Sequence, residues 1–392
     1  MSIDLAVFYL ARHAEGLDSF RRFLDSYKRH PAGCSHKLVI IYKGFEHEPD
    51  LAAARAEFEL PHCEVRVTDE HYDIGAYVQA AHQIDAKHVC FINTHTEILS
   101  DNWLAHLRHA IDDESVGVAG ASASYESLYD SLALTGKAVW LAGNQGITYE
   151  QKLADYFGFV LRKQAAVWME AKPSIARKHG QFYEVYLSEK WDAFWRSTLK
   201  PGGPYHFLAD FTRFPNPHIR SNGFIIRRED FLRFKVRPDK QSAYAFESGP
   251  NGLSITLLRE GKRLIMVDRN GSCMEKEEWP HSHCFRSGNQ ENLMMADNQT
   301  RSFDGLSQPE KDTHLLMSWG DSVTVASGGY PLGMTFKVNR AKPLAKHETN
   351  VMPHIADHSE YGVPLTNNYV GVAGGSLYYI PDGSVWPHDR II

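Results

Sequence analysis

Cysteine is scarce in this chain: Cys34, Cys63, Cys90, Cys273 and Cys284 are the only five in 392 residues. They are odd in number, scattered, and form no Cys-x-x-Cys pair, which argues against a disulfide framework and fits buried free thiols in a reducing cytosol. No stretch approaches 18 uninterrupted apolar residues, so no transmembrane helix is expected. Met1-Ser2-Ile3-Asp4 carries no basic region leading into a long apolar run, so no signal peptide is expected either. Basic charge is not in excess: Lys and Arg total 42 against 48 Asp and Glu, a net charge of −6. That balance argues against a dedicated nucleic-acid binder. The chain has no Gly-x-Gly-x-x-Gly after its first apolar run, no Gly-x-x-x-x-Gly-Lys-Ser/Thr and no Gly-x-Ser-x-Gly. A dinucleotide fingerprint, a P-loop and a nucleophile elbow are therefore missing.

What the chain does have is ordinary core material, 43% apolar and 23% charged residues, together with 21 histidines. Strand candidates recur at 5–10, 37–43, 63–67, 89–92 and 116–119. Between them lie segments with helical spacing at 15–27, 51–59, 77–84 and 103–111; in the first, Leu17, Phe20, Phe23, Leu24 and Tyr27 fall three and four apart. Strands alternating with helices imply βαβ units and a mainly parallel sheet, hence an α/β fold. Ligands of such sheets bind beyond the carboxyl ends of the strands. That rule directs attention to Ala11-Arg12, Lys43-Gly44, Thr68 to Gly75, and Asn93 to Glu97.

From about 122 to 217 the pattern changes, with aromatic-rich helices expected at 149–171 and 179–199. Those aromatics suit packing between helices, stacking on sugar rings, or a membrane interface. Strands return at 221–228 and 263–268, with helices at 229–234 and 253–259. Beyond about 300 the chain is rich in Gly, Pro and Asn with short apolar pieces, as in a small β-rich extension. There is no internal repeat.

The segment Val89-Cys90-Phe91-Ile92-Asn93-Thr94-His95-Thr96-Glu97 is the most informative. An apolar strand ends in Asn93, His95 and Glu97, alternate residues that would point the same way on an extended chain. Imidazole nitrogen with amide or carboxylate oxygen suits a divalent cation. The same residues also suit a polar turn, with Asp101 capping the next helix.

This stretch, with Trp103-Leu104 after it, resembles the metal-binding segment of GT-A fold glycosyltransferases, most closely the family 2 type of bacterial surface-polysaccharide synthesis. Asn93 and His95 stand where that family has the two residues of Asp-x-Asp. The resemblance covers roughly 1–120 and 215–300. It implies a GT-A (Rossmann-like) domain with residues 1–121 as its nucleotide-sugar half and 218–300 as its acceptor half. Residues 122–217 would be a helical insertion and 301–392 the β-rich extension. It further implies that Arg12, Asp73, Gly75, Asn93, Arg220, Asn222 and Arg286 contact a nucleotide sugar, with UDP the commonest nucleotide for the fold. Asn93, His95 and Glu97, with His281 and His283 from a later loop, would hold Mn²⁺ or Mg²⁺. Glu247 is the expected catalytic base, with Asp239 as the fallback, because a sugar hydroxyl needs a carboxylate to take its proton. If the metal is weakly held, Arg12, Arg220 and Arg286 must meet the charge that develops on the departing diphosphate.

The expected activity is inverting transfer of a sugar, by a hexosyltransferase, to a glycan or lipid-linked glycan acceptor. The expected location is the cytoplasm, with peripheral association at the inner membrane face for a lipid-linked acceptor. The competing readings are a metal-dependent hydrolase on an α/β sheet and a non-catalytic sugar-binding or scaffold protein on a degenerate GT-A fold, the latter favoured by Asn93.

Overall fold

The computed structural model describes residues 3–70, 72–130, 147–149, 193–203, 205–237, 240–306, 311, 314–315, 318–322, 330–338, 369–373 and 376–380. The chain divides into two units: 1–126 with 210–305, and 127–209 with 306–392.

The first unit is built on an eight-stranded sheet. Its members are β1 (Ile3–Arg12), β2 (Lys37–Lys43), β3 (Cys63–Val67), β4 (Ala86–Ile92), β6 (Val116–Gly120), β10 (Gly223–Arg227), β11 (Arg263–Val267) and β12 (Cys273–Met274). Strand order is β12-β11-β6-β10-β4-β1-β2-β3. β1 pairs in parallel with β2 and β4, β2 with β3, and β11 with β6. The expected α/β class and mainly parallel, Rossmann-like sheet are thus observed. One strand breaks the pattern. β10 lies antiparallel between β4 and β6, pairing Phe224 with both Phe91 and Gly120. It runs backwards, so its first residues, not its last, lie at the carboxyl edge of its neighbours.

The side-chain period of two sorts this sheet into two cores. Leu5, Val7, Tyr9 and Ala11 of β1 face the core that contains α1 (Gly16–Arg29), α2 (Glu48–Ala56) and α4 (Trp103–Asp112). There the Tyr9 ring stacks on Phe23 with centroids 3.7 Å apart. On the opposite face Phe8 meets Phe91, whose ring also contacts Tyr77 of α3 (Asp73–Gln83), Phe224 of β10 and Phe231 of α5 (Arg228–Leu232). Each fully buried side chain of this size contributes roughly 1.5–3 kcal/mol.

α1 forms because its apolar residues make one stripe and Lys28 and Arg29 sit at its negative end. Its Ser26 hydroxyl accepts a hydrogen bond from the backbone N–H of Ile98 (3.0 Å), which ties the helix to the segment after β4. The following loop turns at Gly33 (φ 79°), whose missing side chain lets Asn102 approach; a Cβ there would lie 2.6 Å from Asn102 Oδ1. Asn102, in the left-handed region (φ 59°), is the N-cap residue of α4. The expected cap, Asp101, instead bonds His30 at 2.8 Å.

Within the second unit, β8 (Ile147–Tyr149) pairs with β14 (Tyr330–Val338), which joins β15 (Tyr369–Ala373) and β16 (Ser376–Ile380) in a four-stranded sheet. Tyr149, expected to open a helix, is therefore in a strand. Most of the two expected aromatic helices lies outside the described residues. The part that is described, 193–198, is helical and buries Phe194 and Trp195. The Trp195 ring meets Tyr129 and Tyr205, as packing between elements requires. Among the described residues no helix is long and apolar enough to cross a membrane.

Candidate active site

Several paired charged groups gather at the carboxyl edge of the first unit's sheet. Arg12 ends β1 and Lys43 ends β2, and both converge on Asp69 from the loop after β3. Arg12 Nε and Nη2 donate to its two carboxylate oxygens (3.2 and 3.4 Å). The buried Lys43 ammonium donates to the Asp69 carbonyl (3.1 Å) and pairs with its carboxylate. Burial alone would raise the Asp69 carboxyl, but these two cations hold it below its ordinary value. Arg12 also donates to Glu15 (3.2 Å). Asp73, one of the expected nucleotide contacts, is the first residue of α3. Burial pushes its carboxyl up, against the opposing pull of Arg12, Lys43 and His95. Gly75 lies inside the first turn of α3, buried, and its φ is not positive.

Asn93 to Thr96 follows β4 as a tightly braced turn. The Tyr9 hydroxyl donates to the Thr94 carbonyl (2.8 Å) and the Asn93 N–H to the Asn222 carbonyl (3.2 Å). Asn93 Oδ1 accepts from the His95 N–H (3.0 Å) and lies 2.8 Å from the Thr96 hydroxyl. That hydroxyl is also 2.7 Å from the Asn222 carbonyl, and it has one proton for the two acceptors. The His95 ring lies with Nε2 3.7 Å from Glu15 Oε2.

On the other side of the turn, β5 (Glu97–Ile98) pairs with β13 (Met295–Ala296). This pairing delivers α8 (Asn298–Asp304) beside the turn. Arg301 of that helix donates from Nη2 to the His95 carbonyl (2.9 Å), and its Nη1 is 3.7 Å from Glu97.

The acceptor-side residues gather at the start of β10. Arg220 is buried, donating to the Ser122 hydroxyl (3.2 Å) and to Asp297 (2.8 Å). Its guanidinium carbon lies 3.9 Å from the centre of the Phe285 ring, and that of Arg286 lies 4.9 Å from the same ring. Arg286 donates to Glu126 (2.8 Å). Asn222 accepts from Ser122 (2.6 Å), while its buried amide nitrogen has no hydrogen-bond partner. Glu247, in the last turn of α6 (Lys240–Ser248), accepts from the N–H of Ser221 (2.9 Å), the residue between Arg220 and Asn222 in the chain. Asp297 caps α8 by accepting from the Thr300 N–H (2.9 Å). Burial would raise its carboxyl, yet Arg220 and these hydrogen bonds hold it below its ordinary value. Asp239 lies outside the described residues.

The residues nominated as metal ligands do not converge. The Asn93 oxygen closes its own turn, His95 faces Glu15, and Glu97 faces Arg301. His281 ends a short 3-10 helix, and His283, with φ 58°, bonds Glu291. Both are exposed and neither is on a strand, the element on which residues two apart would face one ion together. Among the described residues no group of three His, Cys, Asp or Glu could hold a metal ion. The donor set as folded does not fit a resident divalent cation.

Reading the sequence alone passes over Tyr9, Ser122 and Arg301 as functional residues. Asp297-x-x-Thr300 was the one visible signal near them, since that spacing marks a helix start.

No protein-family model matches the chain, and no curated protein matches it. Among solved structures it is similar over 30% of its length to S. aureus TarS 1-349, at 14% identity and a TM-score of 0.24, covering 34% of that chain. It is similar over 30% of its length to GalNAc-T7 with UDP, GalNAc and Mn²⁺, at 19% identity and a TM-score of 0.25, covering 23% of that chain. The chain thus spans about a third or less of those structures' own length.

Proposed function

We propose that the first unit is a GT-A type glycosyltransferase that moves a sugar, a hexose in the simplest case, from a nucleotide sugar to a glycan or lipid-linked glycan acceptor. The observation that carries this reading is the reversed strand β10. It brings Arg220, Asn222 and Glu247 to the same edge as Arg12, Asp73 and the Asn93–Thr96 turn. A nucleotide site on the parallel strands and a carboxylate beside it are what direct displacement requires.

In that reaction Glu247 takes the proton of the acceptor hydroxyl. The freed oxygen bonds to the sugar's anomeric carbon while that carbon's bond to the phosphate oxygen breaks. A nucleoside diphosphate departs with the bonding pair, and the anomeric centre inverts. In this reading Asp73 meets the nucleoside and Arg12 the diphosphate, while Arg220 and Asn222 use their remaining N–H groups to hold sugar hydroxyls or the diphosphate. No step is assigned to a metal ion. A role in surface-polysaccharide synthesis, at the cytoplasmic membrane face, is the setting we infer for such a transferase.

A binding protein without catalysis is the second reading, favoured by the Asn93 oxygen being spent inside its own turn. The two separate on one experiment. Release of nucleoside diphosphate from a panel of nucleotide sugars is measured for the wild type and for Glu247→Gln. The transferase reading expects release that falls by about 10²–10⁴-fold in the variant, with nucleotide affinity unchanged. Binding without release by the wild type would establish the second reading.

A further inference from the structure

Four arginines surround the site, and three are matched by a carboxylate within hydrogen-bond distance. Arg12 has Asp69 and Glu15, Arg220 has Asp297, and Arg286 has Glu126. Arg301 differs. Its one acidic neighbour, Glu97, stays at 3.7 Å, beyond hydrogen-bond reach. Asp297 is the next acidic group, and it is already committed to Arg220 and to the cap of its own helix. Arg301 Nη2 is spent on the His95 carbonyl, whereas Nη1 is buried and has no hydrogen-bond partner.

Burial and the nearby charge of Arg22 both push the Arg301 guanidinium below its ordinary value. The fold therefore holds a half-buried cation whose buried Nη1 is an unused donor, under the field of a second cation. A buried, unmatched donor is costly unless a ligand supplies the acceptor. This edge borders the Asn93–Thr96 turn, whose own side chains do not assemble a metal site.

We propose that this chain holds the diphosphate of its donor with arginine in place of a divalent cation, and that the free N–H edge of Arg301 takes a phosphoryl oxygen beside the Asn93–Thr96 turn. A guanidinium suits the task because its donors lie in a fixed plane that matches two oxygens of one phosphate. Its charge is permanent, so binding needs neither a metal supply nor a particular protonation state. Arg22 contributes through the field and not through a bond. The inference rests on the glycosyltransferase reading above and specifies how that site meets the leaving group.

The test uses the full chain, stripped with EDTA and desalted. UDP, GDP and dTDP are titrated calorimetrically in EDTA, in Mg²⁺ and in Mn²⁺, and the matching nucleosides are titrated alongside. The expected result is that one diphosphate binds in EDTA about as tightly as with metal. Arg301→Gln then weakens that diphosphate by about tenfold or more and leaves the nucleoside unchanged. A residue with a purely structural role would not split the two ligands in this way. If Arg301→Gln does not fold, Arg22→Gln is read instead, with a selective loss of about threefold expected from the reduced field. Binding that appears only with Mg²⁺ or Mn²⁺ overturns the inference and leaves the transferase reading standing. Unchanged diphosphate affinity in the variant that is read also overturns it. Binding of no nucleotide under any condition removes the transferase reading and the inference with it.

Discussion

The β1–β4 half of the first unit and the half built from 210–305 assemble their polar groups in different ways. In the β1–β4 half, Arg12, Glu15 and Asp69 are half-exposed and only Lys43 is buried, and partners are shared loosely: Arg12 divides itself between Asp69 and Glu15, and Asp69 between Arg12 and Lys43. In the later half one ion pair, Arg220–Asp297, is buried, with side-chain exposures of 9% and 2%. The same Asp297 caps the helix that carries Arg301 to the turn. A shared, solvated network tolerates losing a member because water takes its place. A buried pair that also fixes a helix does not, since removing one partner strands a charge.

The sharpest way to break the contrast is Asp297→Ala. It leaves the Arg220 charge buried and unpaired and removes the cap of α8, so a loss of about 3–5 kcal/mol is expected in denaturant unfolding. The pH dependence follows from the same carboxyl. Its value is lowered in the folded state, so the stability it contributes is complete above the ordinary aspartate value. That contribution is lost as the pH falls through the lowered folded value. Asp297→Ala should flatten this part of the acid-unfolding profile, whereas an unchanged slope would show that the pair is not what titrates.

A smaller effect is expected at the equivalent anchor of the earlier half. Tyr9→Phe removes the hydroxyl from the Thr94 carbonyl (2.8 Å) but keeps the stacking on Phe23, costing about 1–2 kcal/mol by chemical denaturation. If the turn is a working part of the site, nucleotide affinity should fall as well. Smallest of all is Arg21→Gln, which breaks the surface contacts of Arg21 with Glu57 and Asp18. It should leave the melting temperature unchanged within error, and a measurable drop would contradict the division between exposed and buried pairs.

The strands are legible from residues alone because each has a short apolar run or, at 63–67, an apolar–polar alternation; 37–43, 63–67 and 263–267 are found nearly where they are expected. The carboxyl-edge rule then led to Arg12, Asp73 and Asn93 without any structure. Two helices escaped for a physical reason. Lys240–Ser248 and Asn298–Asp304 carry few large apolar side chains, and α8 has Phe303 alone. Their formation depends on contacts with distant segments that periodicity does not register. The reversal of β10 was equally hidden, since an apolar run reads the same for either direction of pairing. Arg301 was out of reach because its partner, His95, is 206 positions away. Spacing and the likeness to Asp-x-Asp both point to Asn93 as a ligand, and neither reveals that its oxygen bonds the backbone of its own turn.

The reversed strand also has a consequence during synthesis. β4 and β6 are complete once Gly120 has been made, but the strand that fills the gap between them begins at Gly223. At about 5–20 residues per second, the ribosome needs roughly 5–20 s to supply it. Over that interval β4 lacks its neighbour on one side and β6, whose other partner β11 comes later still, lacks both, a form that invites pairing with other chains. A nascent chain of this design calls for shelter from a chaperone until β10 is made, and truncations ending between Gly120 and Gly223 should be insoluble.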